Sequence, residues 1–326
     1  MHQKRYWLGN CAFTYIHSRR MWLAASIALV CAGSQIAQAD SYNDGGTHTI
    51  NTAVSGTVGV GPTSGTTVNI VQGAQIVGGG GAVGTSVDIL GGTVNVSGGA
   101  VTAANTPSGV ASESSAIYFD NIGVGGVLNI SGGTVSAGST NGPPNVSEAI
   151  EVNNSAAQIN ISGGLVTSGT TGTGDINLLF AGDILTVTGG TIQSNTNASA
   201  IFSRGLVDIY AGTIQTDGTA ILNQGGTVKI YGGTITGTGN GEINNEIGTI
   251  DIYGTSFNYP FGPISADLGS LVGTLSNGSP IDTTFDRADS APIVLIRLPE
   301  PGSLALIALG CGLLLRRKAV KALPSL

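Results

Sequence analysis

Two short files of side chains carry the chemistry this sequence can offer. Asp208, Lys229 and Asp251 recur at steps of 21 and 22 residues, and Tyr210, Tyr231 and Tyr253 follow each of them by two positions. Three tyrosines in file can present aromatic surface to sugar rings while charged neighbours bond the hydroxyls. These six residues form a candidate glycan platform. The same residues also have a purely structural use, because aromatic and opposite-charge pairs on neighbouring strands stabilise a sheet by up to ~1 kcal/mol each. With Arg204 added, the acids and the basic residues make the one cluster suited to polysaccharide cleavage by a lyase or glycoside hydrolase. No residue pair has the spacing of a dedicated acid–base couple, so no catalytic residue is assigned and the chain is read as not an enzyme.

Metal and thiol chemistry have little to work with. Cys11, Cys31 and Cys311 all fall in the terminal segments, and the body has one histidine, His48, in a Gly-, Asn- and Thr-rich stretch that reads as a solvated loop. No cofactor and no metal site are expected. Charge excludes a further class. The whole chain carries −7, but between Asp40 and Glu300 only Arg204, Lys229, Arg287 and Arg297 oppose all 19 acids, giving 4 − 19 = −15. So acidic a body repels a phosphate backbone, and nucleic acid is rejected as a partner.

The elements that must position the two files are repeats. "VDILGGTV" (87–94), "LNISGGTV" (128–135), "INISGGLV" (159–166), "LTVTGGTI" (185–192), "VDIYAGTI" (207–214), "VKIYGGTI" (228–235) and "IDIYGTSF" (250–257) start 41, 31, 26, 22, 21 and 22 residues apart. "VNVSGGAV" (94–101) fits the pattern equally, so the register near residue 94 stays open. An Ala-Ile pair precedes several of them, at 116–117, 149–150, 200–201 and 220–221. Each period thus offers an Ala-Ile strand, a turn, a Val-x-Ile strand, a glycine corner and a Thr-Ile strand. Three short strands per period of about twenty residues predict one coil of a parallel β-helix, and stacking supplies the continuous core that one coil lacks. Alternation puts Val207, Ile209, Val228, Ile230, Ile250 and Ile252 inside, with Ile192, Ile214 and Ile235 in a second file.

Outside, one column reads Asp88, Asn129, Asn160, Thr186, Asp208, Lys229, Asp251, and the next ends in the three tyrosines. Thr93, Thr134, Thr191, Thr213 and Thr234 form a threonine file whose neighbours are too mixed for an ice-matching lattice. The 53 glycines agree with frequent tight turns. After residue 255 aromatics and prolines concentrate, at Phe257, Tyr259, Pro260, Phe261 and Pro263, which suits a cap over the last coil. Asn277-Gly278 is a hairpin signal inside it. The body is similar in architecture to the β-helix stalks of bacterial adhesins and autotransporter passengers; pectin-degrading enzymes share the architecture too.

The two ends read as addresses. Arg19 and Arg20, the apolar run 21–32, and Ala37-Gln38-Ala39 before Asp40 have the order of a secretory signal peptide, with cleavage expected after Ala39. Ser18 to Leu23 also resembles a twin-arginine export motif, and Met21 is an alternative start. At the other end Pro299-Glu300-Pro301, thirteen apolar residues and Arg316-Arg317-Lys318 resemble the PEP-CTERM sorting signal of Gram-negative bacteria. The resemblance implies an exosortase and the export machinery as partners. It also implies transient membrane anchoring through the C-terminal segment, and delivery to the cell surface, outer envelope or extracellular matrix, where extracellular polysaccharide is a further candidate partner.

The organisation expected is therefore a signal peptide (1–39), a loose N-terminal cap (40–62), parallel β-helix repeats (63–255), a C-terminal cap and linker (256–298) and a PEP-CTERM sorting segment (299–326). The fold class is all-β, a right-handed parallel β-helix with a C-terminal β cap, flanked by an N-terminal signal helix and a C-terminal hydrophobic helix. The function expected is structural or adhesive, with a polysaccharide-degrading enzyme as the alternative.

Overall fold

Valine, isoleucine and leucine alternating with polar residues over three to five positions leave each strand one apolar edge, and that edge is buried only when strands stack. In the computed structural model they do. It describes residues 5–8, 11–14, 37–38 and 40–298, apart from 64, 80–83, 106–111, 121–124, 139–144, 154–155, 169–173, 195–197 and 239–240. Every regular element among them is a strand. Two units are distinguished. In residues 1–34, Arg5–Leu8 pairs antiparallel with Cys11–Thr14. The second unit, 35–326, holds a 27-stranded sheet system whose pairings are parallel up to its C-terminal strands.

The parallel pairings resolve into three ladders, which the chain visits in rotation. Ser199–Ser203 lies in the first, Leu206–Ile209 in the second and Thr213–Thr216 in the third. Ile221–Ile230 then returns to the first and continues into the second. In the first ladder Val58, Val87, Ile117, Ile150, Ile176, Ile201, Ile221, Ile243 and Phe285 stand in register. In the second, Ile70, Val96, Ile130, Ile161, Val187, Ile209, Ile230, Ile252 and Leu295 do so. In the third, Val54, Ile76, Val101, Val135, Val166, Ile192, Ile214 and Ile235 follow. All are buried in one apolar core, where each aliphatic side chain contributes about 1.5–3 kcal/mol relative to exposure. The inward files expected from the sequence after residue 128 are these files.

The register left open near residue 94 is settled in favour of 94–101. Val94, Asn95 and Val96 stand between Val68–Ile70 and Leu128–Ile130 in the second ladder. Val87–Ile89 lies in the first, between Val58–Val60 and Ile117–Phe119. Asp88 therefore leaves the Asn129–Asp251 column and faces Gly59 and Tyr118 instead. Thr93 likewise leaves the threonine file, which runs Ala100, Thr134, Leu165, Thr191, Thr213, Thr234; Thr93 stands opposite Thr67 and Val127. Both displacements have one cause: 87–89 and 94–96 bury alternate residues in the same way, and each is followed by a glycine pair.

The glycine corners divide into two kinds of position. Gly133, Gly164 and Gly190 have φ of +76°, +79° and +78°, and a Cβ on Gly190 would stand 2.8 Å from the Gly163 carbonyl carbon. Ala211 occupies the first position of a pair while Gly212 keeps φ at +100°, so the second glycine is the obligatory one.

The expected boundary at residue 62 does not coincide with any change of pairing. Ser41–Tyr42, Thr47–Ile50, Ala53–Ser55 and Val58–Val60 enter the ladders like the strands after them. His48 is not a loop residue: it lies on Thr47–Ile50 opposite Val68, with Nε2 2.9 Å from Asp44 Oδ1 and its ring 4.4 Å from that of Tyr42. At the far end Leu268–Leu275 and Pro280–Arg287 form an antiparallel hairpin about Asn277-Gly278, with Gly278 at φ +89°. Pro280–Arg287 and Ile293–Arg297 extend the first and second ladders by one parallel strand each. Leu268–Leu275 then covers the outer edge of the first and Gly262–Pro263 that of the second, both antiparallel. The signal-peptide core, Ala39, Pro299, Glu300, Pro301, Arg316 and Arg317 lie outside the described residues, as do both expected terminal helices. Ala37 and Asp40 are described: the expected cleavage point falls between the strands Ala37–Gln38 and Ser41–Tyr42.

Candidate functional site

The second ladder brings the candidate platform together. Asp208, Lys229 and Asp251 are successive partners in register. Two residues on, Tyr210 and Tyr231 stack with ring centroids 4.7 Å apart at 4°, and Tyr231 and Tyr253 at 4.3 Å and 15°. In-register parallel strands about 4.8 Å apart hold identical aromatic side chains face to face. That geometry changes what the file can do. Both faces of Tyr231 are covered by its neighbours, so a sugar reaches edges and hydroxyls rather than open rings. Tyr210, at 43% exposure, is the most open member. Burial raises the phenols of Tyr231 and Tyr253 above their ordinary value.

The charged column is in register without closing ion pairs. Among the described residues the ion pairs are His48–Asp44 and Arg287–Asp267. The Asp251 carboxyl is raised by burial, with Lys229 pulling the other way. Arg204 is not part of this column. It sits at the turn before Leu206–Ile209, with its Cζ 5.4 Å from the centroid of the Phe202 ring. The cluster expected for polysaccharide cleavage is thus split between a ladder face and a corner.

The C-terminal hairpin braces the tyrosine file from behind. Asn277 donates from Nδ2 to the Tyr210 carbonyl at 3.1 Å, and Ser276 donates from Oγ to the Tyr231 carbonyl at 2.8 Å. The backbone amides of Asn277 and Ser276 donate to the carbonyls of Tyr231 and Tyr253.

Upstream, the same outward column holds an amide ladder that the sequence reading saw only in part. Asn95 donates to Asn69 at 2.8 Å, Asn129 to Asn95 at 2.8 Å and Asn160 to Asn129 at 2.9 Å. Asn69 and Asn95 were hidden by the register assigned to 87–94; placing 94–101 in the column would have found them. A second amide ladder runs inward, where Ser203, Asn223 and Asn245 replace aliphatics in the first ladder. Asn223 donates to Asn245 at 2.8 Å, and Asn245 to the Pro292 carbonyl at 2.8 Å, so the buried amides are satisfied.

Three carboxyls are strongly perturbed. Burial pushes Asp175 up to about 8, against the opposing bonds from Ser168, and pushes Asp183 up to about 6, against bonds from the Phe180 and Ala157 amides. Burial, with help from Asp120, raises Asp88 to about 6. Asp88 and Asp175 lie on strands of the first ladder, and Asp183 at the turn before the second-ladder strand Ile184–Val187. Among the described residues no group of three His, Cys, Asp or Glu is placed to hold a metal ion, and no helix is long and apolar enough to cross a membrane. Comparison with protein-family models, with curated proteins and with solved structures returns no match.

Proposed function

We propose that the chain is an exported structural or adhesive protein of the cell surface or extracellular matrix. Its body is a right-handed parallel β-helix, and its tail is a PEP-CTERM sorting signal processed by an exosortase. The observation that carries the reading is the rotation of the chain through three parallel ladders whose aliphatic files stay in register from Val58 to Phe285 and from Ile70 to Leu295. A chain that returns to the same parallel sheet does so with a right-handed crossover in about 98% of cases. Stacking of this kind makes a long, uniform surface, and covering the last strands with an antiparallel hairpin stops edge-to-edge growth there. Such a body suits display and adhesion. The tail, from Pro299-Glu300-Pro301 to Arg316-Arg317, supports retention through the membrane before processing.

Signal cleavage after Ala39 removes the strand Ala37–Gln38 and starts the mature chain at Asp40, next to Ser41–Tyr42. Cleavage then leaves Ala53–Ser55 as the first strand of the third ladder. The proposal assigns no catalysis, no cofactor and no nucleic-acid partner. Cell fractionation with mass spectrometry of the mature termini tests it, in hosts with and without an exosortase. Ends at Asp40 and close to Pro301, with surface recovery dependent on the exosortase, are expected. A chain recovered intact from the cytoplasm would overturn it, and loss of polysaccharide viscosity on incubation with the purified protein would favour the enzyme instead.

A further inference from the structure

Arg204 stands at the turn that joins the first-ladder strand Ser199–Ser203 to the second-ladder strand Leu206–Ile209. The other cations of the body are engaged differently. Arg287 is held by Asp267 at 3.0 Å and by the carbonyls of Ser265, Ala266, Ala288 and Asp289. Lys229 stands in register between two aspartates, and Arg297 lies over Phe261. The Arg204 guanidinium rests on the Phe202 face with no carboxylate or carbonyl acceptor among the described residues. It also borders a cavity of about 190 Å³ that Ala181, Leu206, Gly225 and Thr227 help to line.

The backbone makes this cavity. Gly205 and Gly226 stack so closely at the corner that a Cβ on Gly226 would collide with the Gly205 carbonyl oxygen. At Gly225, where φ is +141°, a Cβ would find only Arg204 Cγ, at 4.0 Å. Side chains are therefore missing where neighbouring rows would place them. Phe180 and Ile247, at the corresponding turns of the rows before and after, are exposed by 38% and 61%.

We propose that this cavity binds the carboxylate of a uronic acid unit within an acidic polysaccharide. A guanidinium stacked on an aromatic face keeps its in-plane N–H donors free for a bidentate carboxylate, a geometry that lysine does not offer. The cavity is below the roughly 300–1,000 Å³ of sites that enclose whole drug-sized ligands, so it takes one sugar of a chain that continues over the surface. Ala181 and Leu206 in its lining offer apolar surface to the C–H face of the ring. The acidic body opposes long-range approach of a polyanion, so the contact works within a Debye length of about 8 Å at physiological salt. The inference rests on the polysaccharide partner of the proposed function and names its chemical class and its site.

The test titrates oligogalacturonate, a neutral cello-oligosaccharide and inorganic phosphate onto the purified mature protein at 0.15 M salt, for wild type, Arg204→Gln and Arg204→Lys. Oligogalacturonate is expected to bind wild type, to lose at least tenfold in affinity with Arg204→Gln, and to recover partly with Arg204→Lys. The neutral oligomer should not compete. An unchanged denaturation midpoint in Arg204→Gln confirms that the fold is intact, as expected for an exposed side chain. Undiminished binding by Arg204→Gln, equal binding of the neutral oligomer, equal binding of phosphate alone, or no binding to wild type would each overturn the assignment. Surface recovery in the fractionation experiment is independent of Arg204, so failure here leaves that reading standing, and failure there leaves this site intact.

Discussion

Asp175 offers the sharpest test of the packing, because its carboxyl replaces an alanine. It stands at the position that Ala149 and Ala200 occupy in the first ladder and is fully buried. One oxygen accepts from the Ser168 amide, and the other has no hydrogen-bond partner among the described residues. Burial raises the group from 3.8 to about 8. The folded chain therefore keeps a proton that the unfolded chain releases between about pH 4 and pH 8. Stability is fully present below the unfolded value and falls as pH rises toward the folded one, by up to 1.36 kcal/mol per pH unit. Over the whole window the loss is on the order of 5 kcal/mol. Asp183 and Asp88 add the same sign only up to about pH 6, where they ionise. Of these three, only Asp175 titrates between pH 6 and 8. Asp175→Asn keeps an acceptor for Ser168 and removes the proton. Denaturant titrations at half-unit steps from pH 4 to 8.5 should show the wild-type midpoint falling through the upper half of that range and the variant's midpoint nearly level there. A variant with the wild-type slope between pH 6 and 8 would refute the buried, proton-holding carboxyl.

Two further outcomes follow from the core and the aromatic file. Ile230→Ala removes a fully buried side chain that stands between Ile209 and Ile252 in the second-ladder file. It should cost about 2–5 kcal/mol, read as a lower denaturation midpoint, and a loss under 1 kcal/mol would mean that the file is not close-packed. Tyr231→Ala opens the faces of Tyr210 and Tyr253 and breaks two stacked pairs. It should cost about 1–3 kcal/mol, while oligosaccharide retention is expected to hold or rise, because ring faces become accessible; abolished retention with an unchanged midpoint would restore the tyrosines as the binding platform.

The fold was legible where period and burial pattern coincide, from residue 128 onward. There one Val-x-Ile strand per turn of about twenty residues fixes both the column and the face. It was not legible at 87–101, and the reason is geometric. Gly91-Gly92 turns the chain from the first ladder into the second, whereas Gly98-Gly99 turns it from the second into the third. Gly92 has φ +70° and Gly99 +72°, so the two corners share one backbone signature. Only the pairing partners, Val58 and Ile117 for Val87 but Val68 and Leu128 for Val94, tell them apart. The inward asparagines were hidden for a different reason. A polar residue type gives no signal for an inward position, yet Asn223 is satisfied there because its amide donates to that of Asn245 one row along. The tyrosine file shows the limit in the other direction. Its column followed from spacing, but its ring orientation follows from the separation of adjacent strands, which turns a file of open aromatic faces into a stack that presents edges. At the Arg204 corner, by contrast, glycines leave a gap beside a guanidinium that lies over Phe202 and has no carboxylate partner among the described residues.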